Sequence, residues 1–293
     1  MPPVGRLAPT PSGHLHLGNA LAFGAAWLSA RRPPSGPPGR VLLRIEDLDR
    51  GRARPDVADS QRDDLRWLGL DWDEEVRPQS ERDYPLDGIP TYRCACSRAT
   101  RLSWGCRCRF SPPGHILAVP CPNLEGGKFG HPGTVTSAGW RFLAPPGLVT
   151  FTDRARGALT LPADEPILRR ENGEAAYPLA VVLDDARDGV TEVVRGADLL
   201  DATPVQVRLH EALGLPLPTY LHVPVLLGPD GRKLSKSHGS TELRALRAEG
   251  WSPDQVWALL LPLLGCEGPL QDAVLDPARV SRGPHTIGSP DAL

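Results

Sequence analysis

Val4 to Ala8 is a short, mostly apolar run, the pattern of a strand buried in a parallel sheet. A Gly/Pro turn, Pro11-Ser12-Gly13-His14-Leu15-His16-Leu17-Gly18-Asn19, then opens a helix-like run from Gly18 to Arg31. In that run Leu21, Ala22, Ala25, Ala26 and Leu28 form one apolar stripe. Pro33 to Gly39 reads as a loop, and Val41 to Glu46 as the next strand. Strand, helix, strand predicts a βαβ unit with parallel pairing and a right-handed crossover. A helix is predicted over 56–68, with Val57, Leu65 and Leu68 as its core face. Trp140 to Leu143 and Val149 to Asp153 alternate as strands do, and Asn172-Gly173 is a hairpin turn signal. Tyr177 opens an apolar run to Leu183, followed by Asp184 and Asp185. A strand is predicted over 190–195, a helix interrupted at Pro204 over 198–213, and another strand over 220–227. A strongly apolar helix is predicted over 254–264, and the Pro/Gly-rich tail after it is expected to be poorly ordered.

This order predicts an α/β protein. Residues 1–90 and 171–240 are the halves of a parallel-sheet domain, 91–170 an inserted segment, and 241–293 a short helical segment with a tail. The 293 residues leave room for one large domain or two small ones, and 40% apolar residues suffice for a buried core. No run approaches the roughly 18 apolar residues of a membrane span. No charged-then-apolar signal pattern opens the chain, so a cytosolic location is expected, without membrane contact. The net charge is −2, so any contact with nucleic acid must come from a local patch.

Such a patch exists. Between Asp87 and Glu125 there is no acidic residue, while Arg93, Arg98, Arg101, Arg107 and Arg109 are interleaved with Tyr92, Trp104 and Phe110. That composition suits an RNA backbone with splayed bases; a disordered arginine-rich loop is the other reading. The same interval carries Cys94, Cys96, Cys106, Cys108 and Cys121. In a reducing compartment, two C-x-C hooks suit a tetrahedral Cys₄ zinc site before disulfides.

Strand, tight turn and helix N-terminus together suit a phosphate, because glycines admit close approach and the helix presents free N–H groups. His14 and His16 add donors for a transferring phosphoryl group; an ordinary turn with solvated histidines is the competing reading. Lysine occurs only at Lys128, Lys233 and Lys236, so two of three fall in the loop Lys233-Leu234-Ser235-Lys236-Ser237. Mobile ammonium groups closing over a triphosphate are the natural use. Glu46, Asp47 and Asp49 lie at a strand's carboxyl end, where parallel sheets bind ligands, or else form a solvated acidic turn. Arg195 also ends a strand, where it can clamp a carboxylate or make a structural ion pair.

The turn resembles the HIGH signature, with His16-Leu17-Gly18-Asn19 in its four positions, and Lys233 to Ser237 resembles KMSKS. Together they look like a class I aminoacyl-tRNA synthetase. Gly5 to Gly13, Leu43 to Asp49 and Gly189 to Leu200 are similar to the glutamyl group. The short chain and the Cys94-Ala95-Cys96 hook resemble its glutamyl-queuosine tRNA(Asp) branch. The resemblance covers residues 4–240 and is weak over 97–138. It implies a Rossmann-like catalytic domain with an inserted acceptor-type, zinc-bearing subdomain and no anticodon-binding domain. It also implies ATP with magnesium, L-glutamate, and tRNA, in particular queuosine-containing tRNA(Asp). By the resemblance, His16, Lys233 and Lys236 are catalytic, and His16, Gly18, Asn19 and Lys236 bind ATP. Arg6, Leu7, Ala8, Pro9, Thr10, Glu46, Tyr177 and Arg195 bind glutamate.

Cys94 and Cys96 would hold zinc. The family then carries a segment like Tyr-Pro-Gly-Thr-Cys, where this chain has His131-Pro132-Gly133-Thr134-Val135. Cys106 and Cys108 complete one candidate set; Cys121, His115 and His131 are alternatives, and an empty site is the remaining reading. Residues 238–293 are too few for a large anticodon-reading domain, which agrees with the queuosine branch. A short glutamyl-tRNA synthetase body charging a 3′ end is the second reading. A non-catalytic RNA-binding paralogue is the third, and the intact His16, Lys233 and Lys236 argue against it. A monomer is expected.

Overall fold

The computed structural model describes residues 1–93, 140–143, 147–170, 172–228, 230–234 and 241–287. The elements are β1 (Val4–Leu7), α1 (Leu17–Arg31), β2 (Arg40–Leu43), α2 (Pro55–Trp67), β3 (Glu74–Glu75), β4 (Thr91–Arg93), β5 (Trp140–Phe142), β6 (Gly147–Asp153) and β7 (Gly157–Ala163). They continue with β8 (Ile167–Arg169), α3 (Tyr177–Arg187), β9 (Glu192–Gly196), α4 (Thr203–Leu213), β10 (Thr219–Val223), β11 (Leu226–Leu227), α5 (Leu243–Ala248), α6 (Pro253–Leu260) and β12 (His285–Thr286).

The expected βαβ unit is present. β1 and β2 pair in parallel, from Val4 opposite Arg40 to Leu7 opposite Leu43, with α1 as the connection and β3 beside β2. Pairing continues past β2, since the Arg44 amide donates to Leu7 O and the Glu46 amide to Pro9 O, each at 2.9 Å. A second sheet has the order β7-β6-β10-β9, parallel except for the β6–β7 hairpin. The two sheets are joined at Thr191, whose amide donates to Val4 O while its hydroxyl accepts from the Val4 amide, both at 2.9 Å. β6 and β7 lie within the stretch read from sequence as inserted, yet share a sheet with β9 and β10. β4, β5 and β8 form a separate antiparallel sheet.

Three differences from the sequence pattern have plain causes. Pro204 sits in the first turn of α4, where its missing N–H costs nothing, so it starts that helix instead of interrupting one. The strand over 220–227 is split into β10 and β11, with Pro224 between them, because proline cannot donate to a ladder. Residues 266–287 of the C-terminal tail are ordered, which corrects the expectation of disorder for that stretch: Leu270, Ala273, Leu275, Val280 and Ile287 are buried in the core, and β12 pairs with β11. α6 locks onto α1 through Trp257, whose ring lies where a Cβ on Gly24 would be 2.6 Å away. The Trp257 indole N–H donates to Leu68 O at 2.8 Å.

Asp64 on α2 is buried beneath α5, where Arg247 donates to its Oδ1 at 3.2 Å and its Oδ2 has no partner among the described residues. Burial raises its carboxyl to about 6, against the pull of Arg247. The folded chain therefore holds this proton more tightly than the unfolded chain. The stability this group contributes is fully present below the ordinary aspartate value and is lost as pH rises through about 6. Asp64→Asn is expected to raise stability at pH 7.5 by about 1–3 kcal/mol and to change it little at low pH. Urea denaturation of both proteins across pH 4 to 8 checks this, and a gain independent of pH would contradict it.

Candidate active site

At the carboxyl ends of β1 and β9, the HIGH-like turn and the start of the KLSKS-like loop face each other across a cleft. With its open mouth it encloses about 880 Å³. Arg6, Ala8, His16, Gly18, Asn19, Glu46, Tyr177, Arg195 and Lys233, all singled out from sequence, line it together. Leu7, Pro9 and Thr10 are not among the lining residues. Strand alternation turns Leu7 to the opposite face from Arg6, into the core. Pro9 and Thr10 are occupied through their carbonyls, by the Glu46 amide and the Gln61 carboxamide. Lys236, Cys94, Cys96, Cys106 and Cys108, and the alternatives Cys121, His115 and His131, lie outside the described residues. Among the described residues no group of three or more His, Cys, Asp or Glu is placed to hold a metal.

His16 is the N-cap of α1. Its Nδ1 accepts from the Gly18 amide at 3.1 Å, and Asn19 Oδ1 accepts from the His16 amide at 3.0 Å. A ring nitrogen that accepts an N–H carries no proton, so in the neutral ring the proton is on Nε2. The Gly18 amide is thus engaged by His16. Gly18 instead makes room, because a Cβ there would lie 2.9 Å from the ring. His14 is turned away, with its Nδ1 at 3.1 Å from Ser60 Oγ.

Both flanks of the second loop are anchored at this cleft. Lys233 bridges back to Leu227, and its Nζ lies 2.5 Å from Asp198 Oδ2. Beyond residues 235–240, the Leu243 amide donates to Leu15 O at 2.8 Å, and Glu242 pairs with His16.

Beneath the cleft lies a charge network that sequence reasoning missed. Arg44 is fully buried and donates to Asp185 Oδ1 (2.7 Å), Glu46 Oε1 (3.2 Å) and Asp188 Oδ2 (3.1 Å). Asp185 Oδ1 also accepts from Arg6 Nε at 3.2 Å. Arg82 and Tyr84 reach Asp184 alongside. Burial opposes ionisation of Asp185, but Arg6 and Arg44 outweigh it and hold its carboxyl below the ordinary value. Burial dominates at Glu46 and raises its carboxyl despite Arg44 and Arg6. A charged residue inside the apolar run Val41 to Ile45 was the available signal for Arg44.

Arg195 differs from Arg6 and Arg44. It is 5% exposed, and its partners among the described residues are all neutral. They are His222 Nε2 (3.1 Å), Thr203 Oγ1 (2.9 Å), Tyr177 OH (3.4 Å) and Leu199 O (3.4 Å). A buried cation among neutral groups at a cleft is a binding point for a carboxylate.

The model of the class I tRNA synthetase (E and Q) catalytic domain matches residues 4–92 and 140–272. A protein of Symbiobacterium thermophilum named glutamyl-Q tRNA(Asp) synthetase is 40% identical over 318 residues, covering 97% of this chain and 95% of its own. A glutamate–tRNA ligase of Oleidesulfovibrio alaskensis is 39% identical over 274 residues, covering 89% of this chain and 56% of its own. The crystal structure of glutamate-tRNA synthetase from Elizabethkingia anophelis shares the fold, with a TM-score of 0.76 at 21% identity, covering all of this chain and 69% of that one. With the HIGH-like turn, the start of the KLSKS-like loop and the buried arginines at one cleft, and with a glutamyl-Q tRNA(Asp) synthetase matching over nearly its whole length, the chain belongs to the glutamyl-Q tRNA(Asp) synthetase family of class I tRNA synthetases.

Proposed function

We propose that this chain activates L-glutamate with ATP and magnesium, and transfers it to the queuosine base at the wobble position of tRNA(Asp). It is a ligase of the class I synthetase type. The observation that carries the amino-acid half is Arg195, a buried cation with neutral partners at the floor of the cleft. The side-chain carboxylate of glutamate supplies the missing charge there, beside the Tyr177 hydroxyl. Glu46, close to the cleft and tied to Arg44, takes the α-ammonium group. The α-carboxylate attacks the α-phosphorus of ATP, pyrophosphate leaves, and a hydroxyl of the RNA takes the glutamyl group from the adenylate. No side-chain nucleophile is required, so catalysis is positioning and electrostatic stabilisation of phosphates. His16 Nε2–H meets the phosphates from one side, and Lys233 and Lys236 from the other. Lys233 is held by Asp198, and the phosphates displace that carboxylate.

The queuosine acceptor is supported by the name of the relative that matches nearly end to end. The second reading, charging of a tRNA 3′ end, is favoured by the relative named glutamate–tRNA ligase. Both are tested by incubating the protein with ATP, magnesium and labelled glutamate, and tRNA(Asp) with or without queuosine, or tRNA(Glu). Label on queuosine-containing tRNA(Asp) alone is the expected result. Label on tRNA(Glu) establishes the second reading instead. A carboxylate-pairing pocket leaves a buried cation unpaired when an amide enters, so glutamine is expected to be rejected strongly. Equal ATP–pyrophosphate exchange with glutamine would overturn the amino-acid assignment.

A further inference from the structure

We propose that His222, its tautomer fixed by Asp153, is a positioning residue that aims Arg195 at the side-chain carboxylate of the amino-acid substrate; this rests on the glutamate reading above. His222 on β10 stands directly opposite Arg195 on β9 in the parallel register. Arg195 Nε donates to His222 Nε2 at 3.1 Å. A guanidinium only donates, so Nε2 must carry the lone pair and the ring proton must sit on Nδ1. That proton faces Asp153 Oδ2 at 2.7 Å.

Asp153 is itself fixed. Its Oδ2 also accepts from the His222 amide at 3.0 Å, and its Oδ1 accepts from the Ala155 and Arg156 amides at 3.0 and 2.9 Å. An acceptor pinned by three amides leaves the ring one tautomer, and that tautomer presents an acceptor to Arg195. Without it, Arg195 Nε would be a bare buried donor, and its fork would be free to turn away from the cleft. The remaining contacts, Thr203 Oγ1 at 2.9 Å, Tyr177 OH and Leu199 O at 3.4 Å each and the face of Tyr220 at 5.7 Å, do not fix the Nε edge.

Acid acts against this arrangement. The titratable and charged groups facing His222 are Asp153 of β6, Arg156 of the β6–β7 turn, Arg195 of β9 and the stacked Tyr220 of β10. Burial, with the two guanidiniums, holds the imidazole below its ordinary range, against the pull of Asp153. Protonation would place an N–H at Nε2, facing the Arg195 donor. Glutamate binding is therefore lost as the ring takes up its proton.

The test is ATP–pyrophosphate exchange by the full chain, varying glutamate and ATP separately. His222→Phe keeps the ring and removes both nitrogens, and is expected to raise the KM for glutamate about tenfold while the KM for ATP stays within about twofold. His222→Gln, whose carboxamide oxygen can take the place of Nε2, is expected to recover most of that loss. In the unaltered chain the glutamate KM is expected to rise as pH falls below the ordinary imidazole value of about 6.5, and to rise less in His222→Gln, where only Glu46 and the substrate still titrate. An unchanged glutamate KM in His222→Phe overturns the proposal. So does a parallel rise in both KM values, the mark of a merely structural role. Should His222→Phe not fold, a flat wild-type glutamate profile overturns it. Wild-type protein without glutamate-dependent exchange would instead remove the glutamate reading, and this inference with it.

Discussion

Arg195→Ala is expected to lower kcat/KM for glutamate by about 10²-fold or more, and to leave the KM for ATP nearly unchanged. The reason is the setting of the guanidinium. It is 5% exposed, and its partners among the described residues are neutral, so a bound carboxylate is its only strong counter-charge. Removing it leaves that carboxylate buried without a partner, which costs about 2–5 kcal/mol. Arg195→Lys is expected to recover little, because a point charge cannot reproduce a fork that holds His222, Thr203 and the ligand at once. Exchange assays with glutamate varied at saturating ATP measure this. A loss confined to the ATP KM would place Arg195 at the nucleotide and withdraw it from the amino-acid pocket.

Arg44→Met is expected to destabilise the fold by about 3–5 kcal/mol, a loss out of proportion to its volume. Arg44 is fully buried and carries Asp185, Glu46 and Asp188. Among the described residues Asp185 would keep only Arg6, and Asp188 only Arg82, as ion-pair partners. Glu46 would lose the strongest influence opposing its burial. Urea denaturation should show a lower midpoint with an unchanged slope. Asp185→Asn in the same chain should recover part of the loss, because the two residues share one bond and their effects are not additive. A midpoint within experimental error of wild type would mean that the carboxylates find other partners.

The family and its two motif-bearing segments could be read from residues alone because each motif is local. A turn rich in glycine and histidine before a helix, or two of three lysines in five positions, carries its meaning within a short stretch. The helix N-terminus at Leu17 and the β1–α1–β2 unit were legible for the same reason, since periodicity and capping are short-range properties. Arg195 was singled out because it ends a strand, where open α/β sheets place their ligands, and Tyr177 only through the family resemblance.

What the residues could not show was which charges meet. Arg44 and Asp185 are 141 positions apart, and His222 and Asp153 are 69 apart. A buried ion pair has no local signature beyond a charge inside an apolar run. Likewise residues 266–287 read as Pro/Gly-rich and become ordered only because β11 and the core accept them. The residues alone thus determined that this chain has a Gly/His turn before a helix, a lysine loop and an arginine at a strand end. Only the tertiary structure decided which arginines are spent on internal carboxylates and which one has neutral partners at the cleft. That distinction depends on distances between groups remote in sequence, since the pairing energy of buried charges is set by separation and desolvation rather than by neighbours along the chain.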